Sequence, residues 1–77
     1  MTFHLKATTP ALQVDEQIEA PNAFRAVEVV RLLVHKLGFI VLLDEKEPTH
    51  CQGKIYRDNG LELMPVGTVE AVAVLHA

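Results

Sequence analysis

The sequence predicts one small α+β domain over residues 1–77, built in two layers as an antiparallel or mixed sheet with one helix on one face. Three observations lead to this fold class: alternating apolar and polar residues near the N-terminus, one amphipathic stretch with capping residues at both ends, and short apolar runs that end in charge, proline or turn residues. The element order β-β-α-β-β-β, with about four to six strands and a single helix, is typical of a sheet covered on one face.

Two strands joined as a hairpin are expected before the helix. Residues 3–7 alternate between apolar and polar side chains, and residues 12–20 do the same after a break at Pro10. This period of two is typical of strands with one buried face, and the short connection allows them to pair. Glu16 falls among the apolar positions, which indicates either a strand at the sheet edge or a bulge near Asp15.

The clearest pattern predicts an α-helix across residues 22–37. Asn22 is a good N-cap because its side-chain oxygen can accept from a free amide of the first turn, and Gly38 suits a left-handed C-terminal cap. The apolar positions recur at spacings of three and four and cover an arc of about 160° on the helical wheel. The predicted buried side consists of Ala23, Ala26, Val27, Val29, Val30, Leu33, Val34 and Leu37.

The first strand after the helix, residues 39–43, is apolar without interruption. It is bounded by Gly38 on one side and by the charged residues of 44–47 on the other. So short a run, ending in charge, predicts a strand covered on both faces, most simply a central strand of the sheet.

A hairpin and a kink are predicted in the remaining chain. Residues 51–57 and 61–64 flank an Asp-Asn-Gly turn at 58–60, where Asn and Gly tolerate the positive φ of a tight turn. A second turn or kink is expected at 65–67, and residues 69–75 then form a final strand with apolar side chains on both faces.

The composition excludes several classes of protein. A chain of 77 residues is too short for a second domain, and 49% apolar residues are too many for a disordered chain. The single cysteine rules out an internal disulfide, and a net charge of -3 disfavours binding to nucleic-acid backbones by charge. No apolar run approaches the roughly 18 residues of a membrane span, so a cytoplasmic protein without membrane contact is expected.

No catalytic, metal or cofactor site is predicted. Cys51 is the only thiol, but its neighbour His50 should point to the opposite face of a strand, so the two do not easily form a nucleophile and its base. A partly buried structural cysteine is the favoured interpretation. The four histidines lack ligand spacing, the four glycines are isolated and serine is absent, so the sequence offers no zinc motif, phosphate loop or serine triad.

One helix covers one face of a sheet, yet the strands at 39–43 and 69–75 carry apolar residues on both faces. Each Val, Leu or Ile left exposed forgoes roughly 1.5–3 kcal/mol of burial. The face that the helix leaves uncovered could be buried in three ways: by curling of the sheet, by a second copy of the chain or by a different protein. A second copy of the chain is the first expectation. The residues predicted to self-associate are Ile40, Leu42, Val72 and Val74.

The polar side of the helix carries two large apolar residues, Phe24 and Leu32. Single exposed apolar residues are ordinary on protein surfaces, and Phe24 could instead pack under the preceding loop. Large apolar residues beside arginine are also typical of surfaces that bind proteins. The predicted partner-binding surface consists of Phe24, Arg25, Glu28, Arg31, Leu32 and Lys36.

These observations favour a non-enzymatic, homodimeric interaction module that acts as a regulator or inhibitor by occupying a surface of a partner protein. Bacteria and phages encode many small proteins of this kind, including inhibitors of host defence complexes, although no motif here is specific to them. A small oligomeric enzyme or ligand-binding protein, with an intersubunit site near His50 and Cys51, is the alternative. A nucleic-acid-binding accessory protein that uses Lys54, Tyr56 and Arg57 is the third, and its affinity would depend strongly on salt.

Overall fold

The computed structural model describes residues 1–75, which form five β-strands and one α-helix. The elements are β1 (Thr2–Thr9), β2 (Leu12–Glu19), α1 (Ala23–His35), β3 (Phe39–Glu47), β4 (His50–Asp58) and β5 (Leu63–Ala73). All neighbouring strands are antiparallel, and their order across the sheet is β2-β1-β5-β4-β3. The helix packs on one face, chiefly against β3 and β5, which confirms the predicted two-layer α+β fold and its element order.

The helix begins at the predicted N-cap, Asn22, but ends at His35 with Lys36 as its C-cap, two residues before the predicted end at Leu37. The backbone amide of Arg25 donates to the side-chain oxygen of Asn22 at 3.0 Å, which satisfies one of the free donors of the first turn. Gly38 follows the helix with a φ of 84°, a left-handed conformation in which a side chain would be strained. Gly38 thus redirects the chain from the end of α1 into β3, with its amide donating to the His35 carbonyl at 3.0 Å.

The core lies between α1 and the sheet face beneath it. On β1, β4 and β5, alternate side chains point toward the helix and are buried, including Phe3, Leu5, Ile55 and Val69. Ala23, Ala26, Val27, Val30 and Val34 close the core from the helix side. We call this side of the sheet the covered face and its other side the open face.

The predicted N-terminal hairpin is confirmed, with Phe3 opposite Ile18 and Thr9 opposite Leu12. Glu16 pairs with Leu5 on the covered-face side, yet its side chain is exposed because β2 is the last strand at its edge of the sheet. Of the two explanations for Glu16, the edge position is therefore correct, and β1 and β2 pair without a register shift.

The strand at residues 39–43 is not central, and this prediction was wrong. β3 forms the opposite edge of the sheet from β2, because β5 pairs between β1 and β4 and takes the central place. One set of β3 side chains is half-buried beneath α1, whereas Ile40 and Leu42 on the open face remain 38% and 48% exposed. An uninterrupted apolar run thus marks a strand that is covered on one face only.

The two stretches expected on either side of a kink at 65–67 form one strand, β5. In place of a kink that ends the strand, the register between β4 and β5 shifts between Ile55 and Tyr56, which pair with Gly67 and Pro65. Pro65 is tolerated because β1 pairs with β5 only from Thr68 onward, so no neighbouring strand on that side requires its missing amide hydrogen. Gly67 is required by crowding, since a Cβ there would collide with the backbone carbonyl of Thr8.

The sheet does not curl closed, because within residues 1–75 the edge strands β2 and β3 each pair with one neighbour only. Curling of the sheet is therefore excluded as the way in which the apolar side chains of the open face are buried. The one helix of the described residues is too short and too polar to cross a membrane.

Candidate interaction surfaces

The predicted partner-binding residues lie along the solvent side of α1. Leu32 is 58% exposed, and Phe24 is exposed as well rather than buried under the preceding loop. Arg25, Arg31 and Lys36 are also exposed. The structure therefore brings two apolar side chains and three cations to one side of a single helix, at the spacings of three and four that make helical residues neighbours.

Glu28 and Arg31 form a forked ion pair in the middle of this surface. Arg31 donates from Nε to Glu28 Oε2 at 2.5 Å and from Nη2 to Glu28 Oε1 at 2.6 Å. These hydrogen bonds hold the pKa of the Glu28 carboxyl below its usual range and raise the pKa of Arg31. The pair holds the Arg31 guanidinium in place on the exposed side of α1.

Three residues assigned to the buried side of the helix are exposed, and that assignment was wrong. Val29, Leu33 and Leu37 follow one another at spacings of four and all face solvent. The side that the sheet covers is narrower than the predicted arc and consists of Ala23, Ala26, Val27, Val30 and Val34. The exposed apolar side chains Val29, Leu32 and Leu33 of α1, with Leu37 just after the helix, form a group that we call the outer stripe of α1.

The turn between β4 and β5 presents a further apolar group that the sequence reasoning missed. Asp58 Oδ1 accepts from the amide of Gly60 at 2.8 Å, and Asn59 Oδ1 accepts from the amide of Leu61 at 2.9 Å. These bonds hold the turn in shape while the Leu61 side chain is 95% exposed. Phe39 pairs with Arg57 next to this turn, so the turn and the C-terminal end of α1 lie at the same end of the sheet.

The centre of the open face is ionic. His50 on β4 lies between two carboxylates, with Nε2 3.0 Å from Glu70 of β5 and Nδ1 3.2 Å from Glu45 of β3. The hydrogen bond to Glu70, reinforced by the charge of Glu45, raises the pKa of His50. This cluster joins three neighbouring strands through one imidazole ring.

A second histidine joins the other pair of strands on the same face. His4 Nε2 of β1 lies 2.5 Å from Asp15 Oδ1 of β2. The hydrogen bond from His4 lowers the pKa of the Asp15 carboxyl. The open face therefore owes its charge pattern to cross-strand pairs between exposed or half-exposed groups, which is the usual composition of a solvated sheet face.

The four residues predicted to self-associate do not form one patch. Ile40 and Leu42 lie on the edge strand β3. Val72 pairs with both His4 and His50 and so sits within the ionic centre, and Val74 lies beyond the end of β5. The exposed apolar side chains of the open face are therefore divided, with Ile40 and Leu42 on β3 and Val72 at the ionic centre.

The enzyme alternative depends on Cys51, which the fold buries completely. Its thiol lies on the covered face and donates weakly to the Glu47 carbonyl at 3.6 Å, and burial raises its pKa. His50 points to the opposite face of the sheet, where its two ring nitrogens engage carboxylates. The thiol thus lacks both the access and the nearby base that a nucleophile needs.

The residues of the nucleic-acid alternative are divided between the faces. Tyr56 and Lys54 lie two residues apart on β4 and therefore on the same face of the sheet; Tyr56 pairs with Ile40 and Pro65, and Lys54 pairs with Leu42 and Thr68. Arg57 directly follows Tyr56 and lies on the opposite face. No aromatic platform with cations on both sides results.

Among residues 1–75, no group of three or more histidine, cysteine or carboxylate side chains is arranged to hold a metal ion. The shallow depressions of the open face are lined by Lys6, Thr8, Gln52, Thr68 and Glu70 along β5, and by Gln13, Val14 and Asp15 along β2.

No family model, curated protein or solved structure matches the chain.

Proposed function

We propose that the chain is a non-enzymatic protein-interaction module, which regulates or inhibits a partner protein by occupying part of its surface with the solvent side of α1. The observation that carries the proposal is the outer stripe, in which three large apolar side chains of α1 and Leu37 just after it are exposed to solvent. Burying a Leu or Val side chain is worth roughly 1.5–3 kcal/mol, so this surface holds a large unused driving force for association.

The charges around the stripe favour a protein as the partner. Arg25, Arg31 and Lys36 are exposed on the same side of the helix as Leu32, and Arg31 is paired with Glu28. Apolar and aromatic residues bordered by arginine are enriched at protein interfaces, where the apolar centre is desolvated and the charged rim stays wet. The net charge of -3 gives no general attraction to nucleic acid.

The experiment compares capture of a partner from host lysate by the immobilised wild-type chain and by Leu32→Asp. Since Leu32 is exposed, the substitution should leave the circular dichroism spectrum unchanged, yet it places a charge in the centre of the stripe. We expect the affinity for the captured partner to fall at least about 30-fold, the loss typical of a central interface residue.

Gln13→Asp is the matched control, because it adds the same charge at an exposed position of β2. It should bind the partner as the wild type does. Equal loss in both variants, or a partner that binds Leu32→Asp undiminished, would contradict the proposed role of α1.

A further inference from the structure

Within residues 1–75, the sheet has three free strand edges, and they differ in how well they are protected from pairing with another chain. An exposed edge offers unpaired amides and carbonyls, and proteins usually block it with charge, proline or a bulge. The edges are β2, the first half of β5 and β3. Comparing them identifies the one edge that is left open.

Two of the three edges are blocked. β2 carries Asp15 and Glu16, one on each face, with Gln13 and Gln17 beside them. The free half of β5, residues 63–67, contains Pro65 and the register shift opposite β4. Both edges thus carry recognised devices against strand pairing.

β3 is protected over its second half only. Its register shifts between Leu43 and Glu45, and the charged residues begin at Asp44. The first half, residues 39–43, reads Phe-Ile-Val-Leu-Leu and contains no charge, proline or bulge. This five-residue stretch is the unprotected edge of the sheet.

We infer that two copies of the chain pair antiparallel through residues 39–43 of β3, about a two-fold axis at Val41. The stretch is complementary to itself in that register. Ile40 lies opposite Leu42 of the second copy on the open face, and Phe39 lies opposite Leu43 of the second copy on the covered face. Both helices then stand on the same side of one continuous sheet, and the two exposed side chains of β3 gain an apolar neighbour each.

The chain itself sets the length of this pairing. The register shift between Leu43 and Glu45 and the charged residues from Asp44 onward end the apolar edge, so residues 39–43 can pair while the remainder of β3 stays protected. The pairing uses residues 39–43 of β3 and none of the residues of the outer stripe of α1.

The test is the solution mass of the chain by light scattering after gel filtration. The wild type should have twice the 8.5 kDa mass of one chain. The double variants Ile40→Lys with Leu42→Lys, and Ile40→Glu with Leu42→Glu, place like charges opposite each other and should each be monomeric. An equimolar mixture of the two places Lys opposite Glu and should restore the dimeric mass.

Gln13→Lys with Gln17→Lys is the control, since it adds the same charges to the exposed face of the opposite edge strand and should stay dimeric. A monomeric wild type, charged variants that remain dimeric, or a mixture that stays monomeric would overturn the inference. Hydrogen exchange of residues 39–43 tests it without any substitution. Their exchange should slow as the wild-type concentration rises, and exchange independent of concentration would equally overturn it.

Discussion

The two faces of the sheet have opposite chemistry although they are made by the same strands. Beneath α1, the covered face is formed by buried apolar side chains. On the open face they are exposed, with histidine–carboxylate pairs at the centre and apolar side chains toward β3. The comparison separates two uses of apolar residues: those under α1 hold the fold together, and those facing solvent are available for association.

The largest difference is expected between two valines of β5. Val69 on the covered face is 1% exposed, whereas Val72 on the open face is 39% exposed. Val69→Ala should lower the free energy of unfolding by about 1.5–3 kcal/mol, and Val72→Ala by less than about 1 kcal/mol. Urea denaturation of both variants measures this difference, and equal losses would show that the open face contributes to the core.

A second prediction for the covered face concerns the buried side chain of Cys51. Cys51→Ser places a hydroxyl in an apolar environment and should cost about 1–3 kcal/mol, more than Cys51→Ala does. The buried thiol, whose pKa is raised, should also react slowly with Ellman's reagent in the native chain and quickly after unfolding. Rapid labelling of the folded chain would contradict the placement of Cys51 in the core.

On the open face, His50 should make stability depend on pH. Its pKa is raised in the folded chain, so its contribution is fully present below the unfolded value, near 6.5, and is lost as pH rises through the folded value. His50→Gln should therefore lower the unfolding midpoint more at mildly acidic pH than at alkaline pH. The measurement is a series of urea midpoints across that range, and a difference that grows with pH would have the wrong sign.

The smallest effect is expected at Asp15, which is exposed on an edge strand. Its pKa is lowered in the folded chain, so its contribution is present above the ordinary value near 3.8 and is lost as pH falls through the folded value. Asp15→Asn should be slightly less stable than the wild type at neutral pH and equal to it in strong acid. Thermal melts at the two pH values measure the change, and a deficit that persists in acid would assign it to another cause.

The sequence predicts the local elements well because their determinants are local. The N-cap at Asn22, the left-handed Gly38 and the turn at 58–60 all depend on neighbouring residues and are found in the structure. The same holds for the alternation that predicts the N-terminal hairpin.

The errors concern the neighbours of each strand, which depend on contacts distant in sequence. The apolar run of β3 does not reveal that β5 would take the central place, nor that Val72 would lie between two histidines. For the candidate surface, Phe24 and Leu32 could be proposed because they interrupt a polar side. Val29, Leu33 and Leu37 could not, since apolar spacing alone does not tell how much of a helix the sheet covers.

Native mass spectrometry of the chain purified gently from its own cells tests most directly whether the solvent-facing apolar residues serve association. We expect a species that contains two copies of the 8.5 kDa chain together with a second protein. Two copies without another protein would support the β3 dimer and contradict a partner on α1. A single chain with nothing bound would contradict both.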